Sequence, residues 1–421
     1  LVCGVKRCPS KQMEHISERI EHMPNISSRT SNLGTENAFV VLKEVNELAA
    51  QGRDILSFCI GQPDFNTPSN ICEAAVTAMR EGKHGYTPSA GIPELREAVA
   101  AYISRTRGIR VEPDWVVIAN GAKPFIGYTL LSVTDYGKGH EVLYPNPGFP
   151  IYASQTLAHG AVPVPLHLLE SRNFAFDVDE MESRITPNTK LLILCSPQNP
   201  TGGVLTRKIL EEIAEVALKH NLWVYSDEVY SRMVHDGKFE SIASIPGMME
   251  RTIICDGASK TYAMTGWRLG YAVNETLAPY FATWMTNTDS CASHVTQWAM
   301  VEALNGSQEQ PDHMMGIFKK RRDLIVDALN GLDGVTCLSP GGAFYAWPNV
   351  TELCKMVGAE NSEVLRKRLL HEAGIAVLAD IHFGERVPGE GQHLRFSYAT
   401  SNENIIQGME RLSDFIKTHR K

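Results

Sequence analysis

The feature that most constrains this chain is an alternation in its middle third. Short apolar runs, each ending in a polar cluster, are separated by amphipathic helical patterns. Val116-Val117-Ile118-Ala119 is one run, and residues 191–195, 222–225 and 252–255 are three more. Runs this short and continuously apolar suit strands buried on both faces, as in parallel sheets covered by helices. Between the second and third runs, Ile209, Leu210, Ile213, Val216 and Ala217 form one helical stripe over 206–220, with Thr206 placed as N-cap. That is a βαβ unit, so the sequence predicts an α/β domain with a mostly parallel sheet.

The flanks read differently. Residues 1 to about 34 show weak periodicity and suggest an N-terminal arm. Over 38–49 the apolar positions Ala38, Val41, Leu42, Val45, Leu48 and Ala49 follow helical spacing, and Gly52 ends the pattern. A further strand is expected over 267–273. Beyond it, a helix over 314–329, Gly- and Pro-rich turns at 339–342 and a run at 394–398 indicate a smaller α+β domain.

Composition narrows the function. With 421 residues and 43% hydrophobic content, the chain can bury one large core with a satellite. A net charge of −8 offers no basic surplus for nucleic acid or anionic membranes. The nine cysteines are odd in number and never spaced CxxC, which fits a reducing cytoplasm. No apolar stretch approaches the ~20 residues of a membrane span, and the polar segment over 11–21 lacks the apolar centre of a secretory signal. The sequons at Asn25, Asn274, Asn305 and Asn349 then carry little weight. Walker A, HExxH and GxSxG motifs are absent, and no metal site is expected.

In an open parallel sheet, ligands bind beyond the carboxyl ends of the strands. Here those ends are Asn120-Gly121-Ala122-Lys123, Ser196-Pro197-Gln198-Asn199-Pro200-Thr201-Gly202-Gly203, Ser226-Asp227-Glu228-Val229-Tyr230 and Asp256-Gly257-Ala258-Ser259-Lys260. They place amides, carboxylates, hydroxyls and two lysines around one crevice. Pro124 marks a helix start whose free N–H groups suit an anion.

The segment Ser259-Lys260-Thr261-Tyr262-Ala263-Met264-Thr265-Gly266-Trp267-Arg268-Leu269-Gly270-Tyr271, taken with the Asn199 turn and the Asp227 strand end, resembles class I aminotransferases of the fold-type I pyridoxal phosphate enzymes. The likeness runs from about Phe39 onward. It implies a large domain (61–304) with a mainly parallel seven-stranded sheet, a small domain from 35–60 and 305–421, and a homodimer with composite sites. By the same resemblance, Lys260 holds pyridoxal 5'-phosphate as a Schiff base and later moves the substrate proton, work that lysine performs and arginine does not. Asp227 pairs with the ring nitrogen, while Tyr230 and Asn199 bond the phenolic oxygen. Ser259, Arg268 and the N–H groups of Gly121, Ala122 and Lys123 hold the phosphate, and Tyr86 reaches it from the partner subunit. Phe149 stacks on the ring, Arg395 clamps the substrate carboxylate, and the Gly61 backbone lies beside the substrate.

Between Arg268 and Lys319 there is no Lys or Arg, and His294 and His313 are the only potentially basic side chains. Some aspartate-specific relatives place a side-chain-binding arginine in that stretch, so strict dicarboxylate selectivity is disfavoured. The donor stays open, and the acceptor is expected to be a 2-oxo acid such as 2-oxoglutarate. The leading expectation is transamination in two half-reactions. The same motifs serve relatives that oxidise or eliminate, and His382 and the arm are where such a change would show, although a surface-loop role is the expectation for His382. A regulator with a silent aminotransferase-like module is the remote alternative, since about 34 leading residues are too few for a winged helix.

Overall fold

The computed structural model describes residues 26–34 and 36–421; the first 25 positions of the expected arm lie outside the described residues. After a short strand β1 (Leu56–Ser57), the chain builds one sheet from β2 (Val116–Ala119), β3 (Glu141–Asn146), β4 (Val162–His167), β5 (Thr189–Cys195), β6 (Trp223–Asp227), β7 (Thr252–Gly257) and β8 (Gly270–Val273). The seven strands lie in the order β2-β8-β7-β6-β5-β3-β4. Within this sheet β8 runs against its neighbours, pairing antiparallel with β2 and β7, and the remaining pairs are parallel.

β5 shows why the apolar run is continuous. Leu191, Ile193 and Cys195 join the core on one face, while Leu192 and Leu194 join Leu210 and Ile213 of helix Arg207–Lys219 on the other. Alternate residues face opposite sides of a sheet, and each such buried Leu or Ile stabilises the fold by about 1.5–3 kcal/mol. Thr206 caps that helix, accepting a hydrogen bond from the Ile209 N–H.

Two strands have no signal in the sequence reading. β3 carries Pro145, and β4 carries Pro163 and Pro165. β4 is the sheet edge, where missing N–H groups are tolerated. The strand expected over 267–273 begins only at Gly270, because Thr265–Trp267 makes a tight helical turn and Arg268 takes φ 56°. Gly270 is required there, since a Cβ would stand 2.4 Å from the Ala122 nitrogen.

A second layer joins distant parts of the chain. Its strands are β9 (Tyr345–Ala346), β10 (Ile375–Ala376), β11 (Leu378–Ala379) and β12 (Leu394–Ser397). β1 pairs in parallel with β10, and the others form an antiparallel sheet in the order β11-β12-β9. Helices Glu309–Asn330 and Asn402–His419 cover this layer, with Phe318, Ile325, Ile405 and Leu412 packed around Phe58 and Phe396. Of the arm, Ser28–Asn32 is a helical turn, and the Gly34 N–H donates to Ser154 Oγ at 2.8 Å.

One polar cluster is buried in this framework. Arg107, the last residue of helix Pro93–Arg107, donates from Nε to Glu228 Oε2 at 2.8 Å and from Nη2 to Asp256 Oδ2 at 2.9 Å. All three side chains are at most 3% exposed. Replacing Arg107 with Met strands two buried carboxylates and is expected to cost about 3–5 kcal/mol in denaturant unfolding. Adding Glu228→Gln and Asp256→Asn should recover most of that loss. A single-variant loss under about 1 kcal/mol contradicts this account.

Candidate active site

The carboxyl ends of β2, β5, β6 and β7 open onto one cavity of about 650 Å³. Ala122 and Lys123 enter its wall after β2, Asn199 after β5, Asp227 and Tyr230 at and beyond the end of β6, and Ser259 and Lys260 after β7. Phe149 and Arg268 complete the sheet side, while Gly61, just after β1, and Arg395, in β12, come from the second layer. Gly121 stands behind the wall at φ +100°, where a Cβ would lie 2.3 Å from Arg268 Nη2. Arg268 donates to the carbonyls of Thr265 at 2.7 Å and Asn120 at 3.3 Å. Tyr86 is 89% exposed and takes no part in the cavity of its own chain.

The charges in this cavity are unusually placed. Lys260 is partly buried and donates to the Gly61 carbonyl. Burial, aided by the positive charges of Arg395 and Arg268 and opposed by Glu36 and Asp227, pushes its amine down to about 8. Burial likewise pushes the Asp227 carboxyl up to about 6, although the Tyr152 hydroxyl donates to it at 2.7 Å. Its other hydrogen bond comes from the Val229 N–H rather than from a cation.

Arg395 is 3% exposed. Its Nη1 donates to Asn199 Oδ1 at 2.8 Å and its Nη2 to the Cys59 carbonyl, while Nε has no partner. The guanidinium sits over the rings of Tyr345 and Phe383, 4.4 and 4.8 Å from their centroids. Among the described residues no carboxylate pairs with it. The Tyr345 and Tyr230 hydroxyls are 2.7 Å apart.

Sequence reasoning missed Tyr152, Tyr345, Phe383 and Glu36. Tyr152 lies three residues past Phe149 in helix Ile151–Ala158, so helical spacing offered a signal. Tyr345 follows a glycine pair, but nothing local says which way it points. His382 is not the surface-loop residue expected. Its side chain is 11% exposed, it lines the cavity, its Nε2 is 3.4 Å from Glu363, and its Nδ1 is buried without a partner. Neither His294 nor His313 lines the cavity, and His294 Nδ1 lies 3.2 Å from the Gly85 carbonyl.

Residues 53–412 match the family model described as aminotransferase class I and II. The chain belongs to that family. It is 35% identical over 395 residues to an aspartate aminotransferase of Geobacillus stearothermophilus, covering 93% of this chain and 99% of the relative. It is 38% identical over 382 residues to aromatic-amino-acid aminotransferase 2 of Thermococcus litoralis, covering 89% and 95%. The solved aspartate aminotransferase of Thermus thermophilus with maleate superposes with a TM-score of 0.87 at 33% identity, over 93% of this chain and all of that one. This aminotransferase therefore has the fold-type I architecture and depends on pyridoxal phosphate.

The residues present fit that cofactor. Among the described residues the buried Asp227 carboxyl makes no ion pair, the Gly121 turn leaves a cradle that a Cβ would fill, and the Lys260 amine is pushed down to about 8. Only the neutral amine is nucleophilic, so uptake of pyridoxal phosphate by the cofactor-free aminotransferase should quicken as pH rises and level off above about 8. Stopped-flow absorbance reads the rate. A profile still climbing at about pH 10, as for a solvated lysine, contradicts the buried amine.

Proposed function

We propose that this aminotransferase moves the amino group of an L-amino acid to a 2-oxo acid, with Lys260 as anchor and proton carrier and Arg395 as carboxylate clamp. The observation that carries the proposal is Arg395 itself, a buried guanidinium with an unpartnered Nε and no carboxylate against it among the described residues, in the same cavity as the depressed Lys260 amine. A planar carboxylate is the ligand that its fork suits. Pyridoxal phosphate supplies an electron sink for charge developing at the substrate α carbon and carries the amino group between the half-reactions.

The chain's residues do the rest. Asp227, held by the Tyr152 hydroxyl, would pair with the cofactor's ring nitrogen and keep it protonated. Tyr230 and Asn199 would donate to its phenolic oxygen, and Phe149 would cover the ring. Ser259, Arg268 and the N–H groups of Gly121, Ala122 and Lys123 hold the phosphate. The Lys260 amine, once released, takes the α proton, a task suited to a base poised near neutral pH. Gly61 keeps its backbone beside the substrate because a Cβ there would strike the Tyr345 hydroxyl at 2.2 Å.

The working unit is a homodimer in which Tyr86, exposed in its own chain, completes the partner's phosphate site. Each chain divides into a large unit over 61–304 and a small one from 35–60 and 305–421. The relatives bear aspartate and aromatic names at similar identity, so they leave the donor undecided.

Single-turnover absorbance of the cofactor-loaded enzyme against a panel of amino acids, with and without oxygen, tests this reading. One equivalent of 2-oxo acid per site and a stable change in the cofactor band are expected. Oxygen uptake, or ammonia release with the band returning, overturns it in favour of oxidation or elimination. Lys260→Ala should abolish the half-reaction. Arg395→Lys should lower kcat/KM roughly a hundredfold, about 2–3 kcal/mol, through loss of the bidentate contact. Sedimentation at a single chain mass would remove the composite site.

A further inference from the structure

The second half of a substrate, its side chain, must also be accommodated in this cavity. Among the described residues the cationic side chains in the wall are Lys123, Lys260, Arg268 and Arg395, with His382 as a titratable neighbour. Three of these have work in the reading above. Lys123 is left, and its ammonium is ion-paired to the Glu36 carboxylate. The ammonium also lies 5.4 Å from the Phe149 ring centroid, beside the face assigned to the cofactor.

Glu36 is placed to keep that partner. It immediately precedes helix Asn37–Ala50, yet its side chain makes no capping bond to that helix. It is 19% exposed against 42% for Lys123, so the acid is the more enclosed member of the pair. A carboxylate so enclosed is costly without its cation. His382 offers no substitute, because burial lowers its pKa and its Nε2 already faces Glu363. Beyond the pair, Phe39, Ile60, Leu378 and Phe383 give the cavity an apolar wall.

We propose that Glu36 is a specificity-determining residue. By occupying Lys123 it leaves the side-chain pocket without a free cation, and so selects amino acids whose side chains are uncharged and apolar or aromatic over dicarboxylic ones. A second carboxylate enters only by displacing Glu36, and it meets like-charge repulsion as it does so. The proposal rests on Arg395 being the clamp for the first carboxylate.

Two amine-free probes separate the effects on the cofactor-loaded enzyme: succinate, with two carboxylates, and 3-phenylpropanoate, with one and an aromatic end. Calorimetry gives their affinities. The wild-type chain is expected to favour 3-phenylpropanoate, and Glu36→Gln should shift the succinate to 3-phenylpropanoate affinity ratio about tenfold toward succinate. Adding Lys123→Met to that variant should cancel the gain, which a merely structural role for Glu36 does not predict. The kcat/KM ratio for aspartate over phenylalanine should move the same way. A wild-type preference for succinate, or a ratio that Glu36→Gln leaves unmoved, overturns the proposal. If Arg395→Ala leaves 3-phenylpropanoate binding unaltered, the clamp assignment fails first and takes this inference with it.

Discussion

Arg107 joins Glu228, just past the end of β6, to Asp256 near the end of β7, and the active site hangs from that junction. Glu228 follows Asp227 at the end of β6, and Asp256 lies four residues before Lys260 near the end of β7. The two strands are in parallel register, with Asp227 opposite Cys255, and the Glu228 N–H donates to the Cys255 carbonyl at 2.8 Å. Further bonds from Ser226 and Ser241 to Glu228, and from Ser231 to Asp256, leave these carboxylates little freedom. A buried ion cluster of this kind adds little net stability over an apolar replacement, yet it is costly to break. Its contribution is geometric: the acid and the amine of the site are carried by strand ends that cannot drift apart.

Above that junction the cavity holds charges that the protein alone does not neutralise. Among the described residues Arg395 has no carboxylate partner, Asp227 is hydrogen-bonded by the Tyr152 hydroxyl and the Val229 N–H but makes no ion pair, and Lys260 feels the positive charge of two guanidinium groups. Each arrangement opposes folding of the empty chain. Each is relieved by a ligand of complementary charge, so cofactor and substrate stabilise the fold as they bind. Polar strain of this sort gathers where function needs it.

Much of this was legible in the sequence because it is local. Apolar runs ending in polar clusters exposed β2, β5, β6 and β7, and the dense motif around Lys260 pointed to residues that the fold gathers around one cavity. β3 and β4 stayed hidden because Pro145, Pro163 and Pro165 break the apolar pattern; the edge position of β4 tolerates its two prolines, and Pro145 lies beyond the stretch of β3 that pairs with β5. Tyr345, His382 and Glu36 were illegible for another reason. Their roles depend on the direction of a side chain toward residues distant in the chain, such as Lys123, 87 positions from Glu36, and no period in the sequence encodes that. His382 looked like loop because the helical turn that holds it, Asp380–Phe383, is too short to show a period. Only the packing of the second layer turns it inward.

The pairing of β1 with β10 has a consequence for how this protein comes into being. The Arg395 guanidinium is held by the Cys59 carbonyl, 336 positions away in the chain, and β1 finds its neighbour only when residue 375 has been made. Synthesis on the ribosome proceeds from the amino end at about 5–20 residues per second. The central sheet therefore has all its strands in hand while β1 is still without a partner, for several seconds at least. During that interval the nascent chain can shape the cradle but not the clamp. A chain that stops short of Arg395 lacks the guanidinium that the Cys59 carbonyl holds, however complete its central sheet.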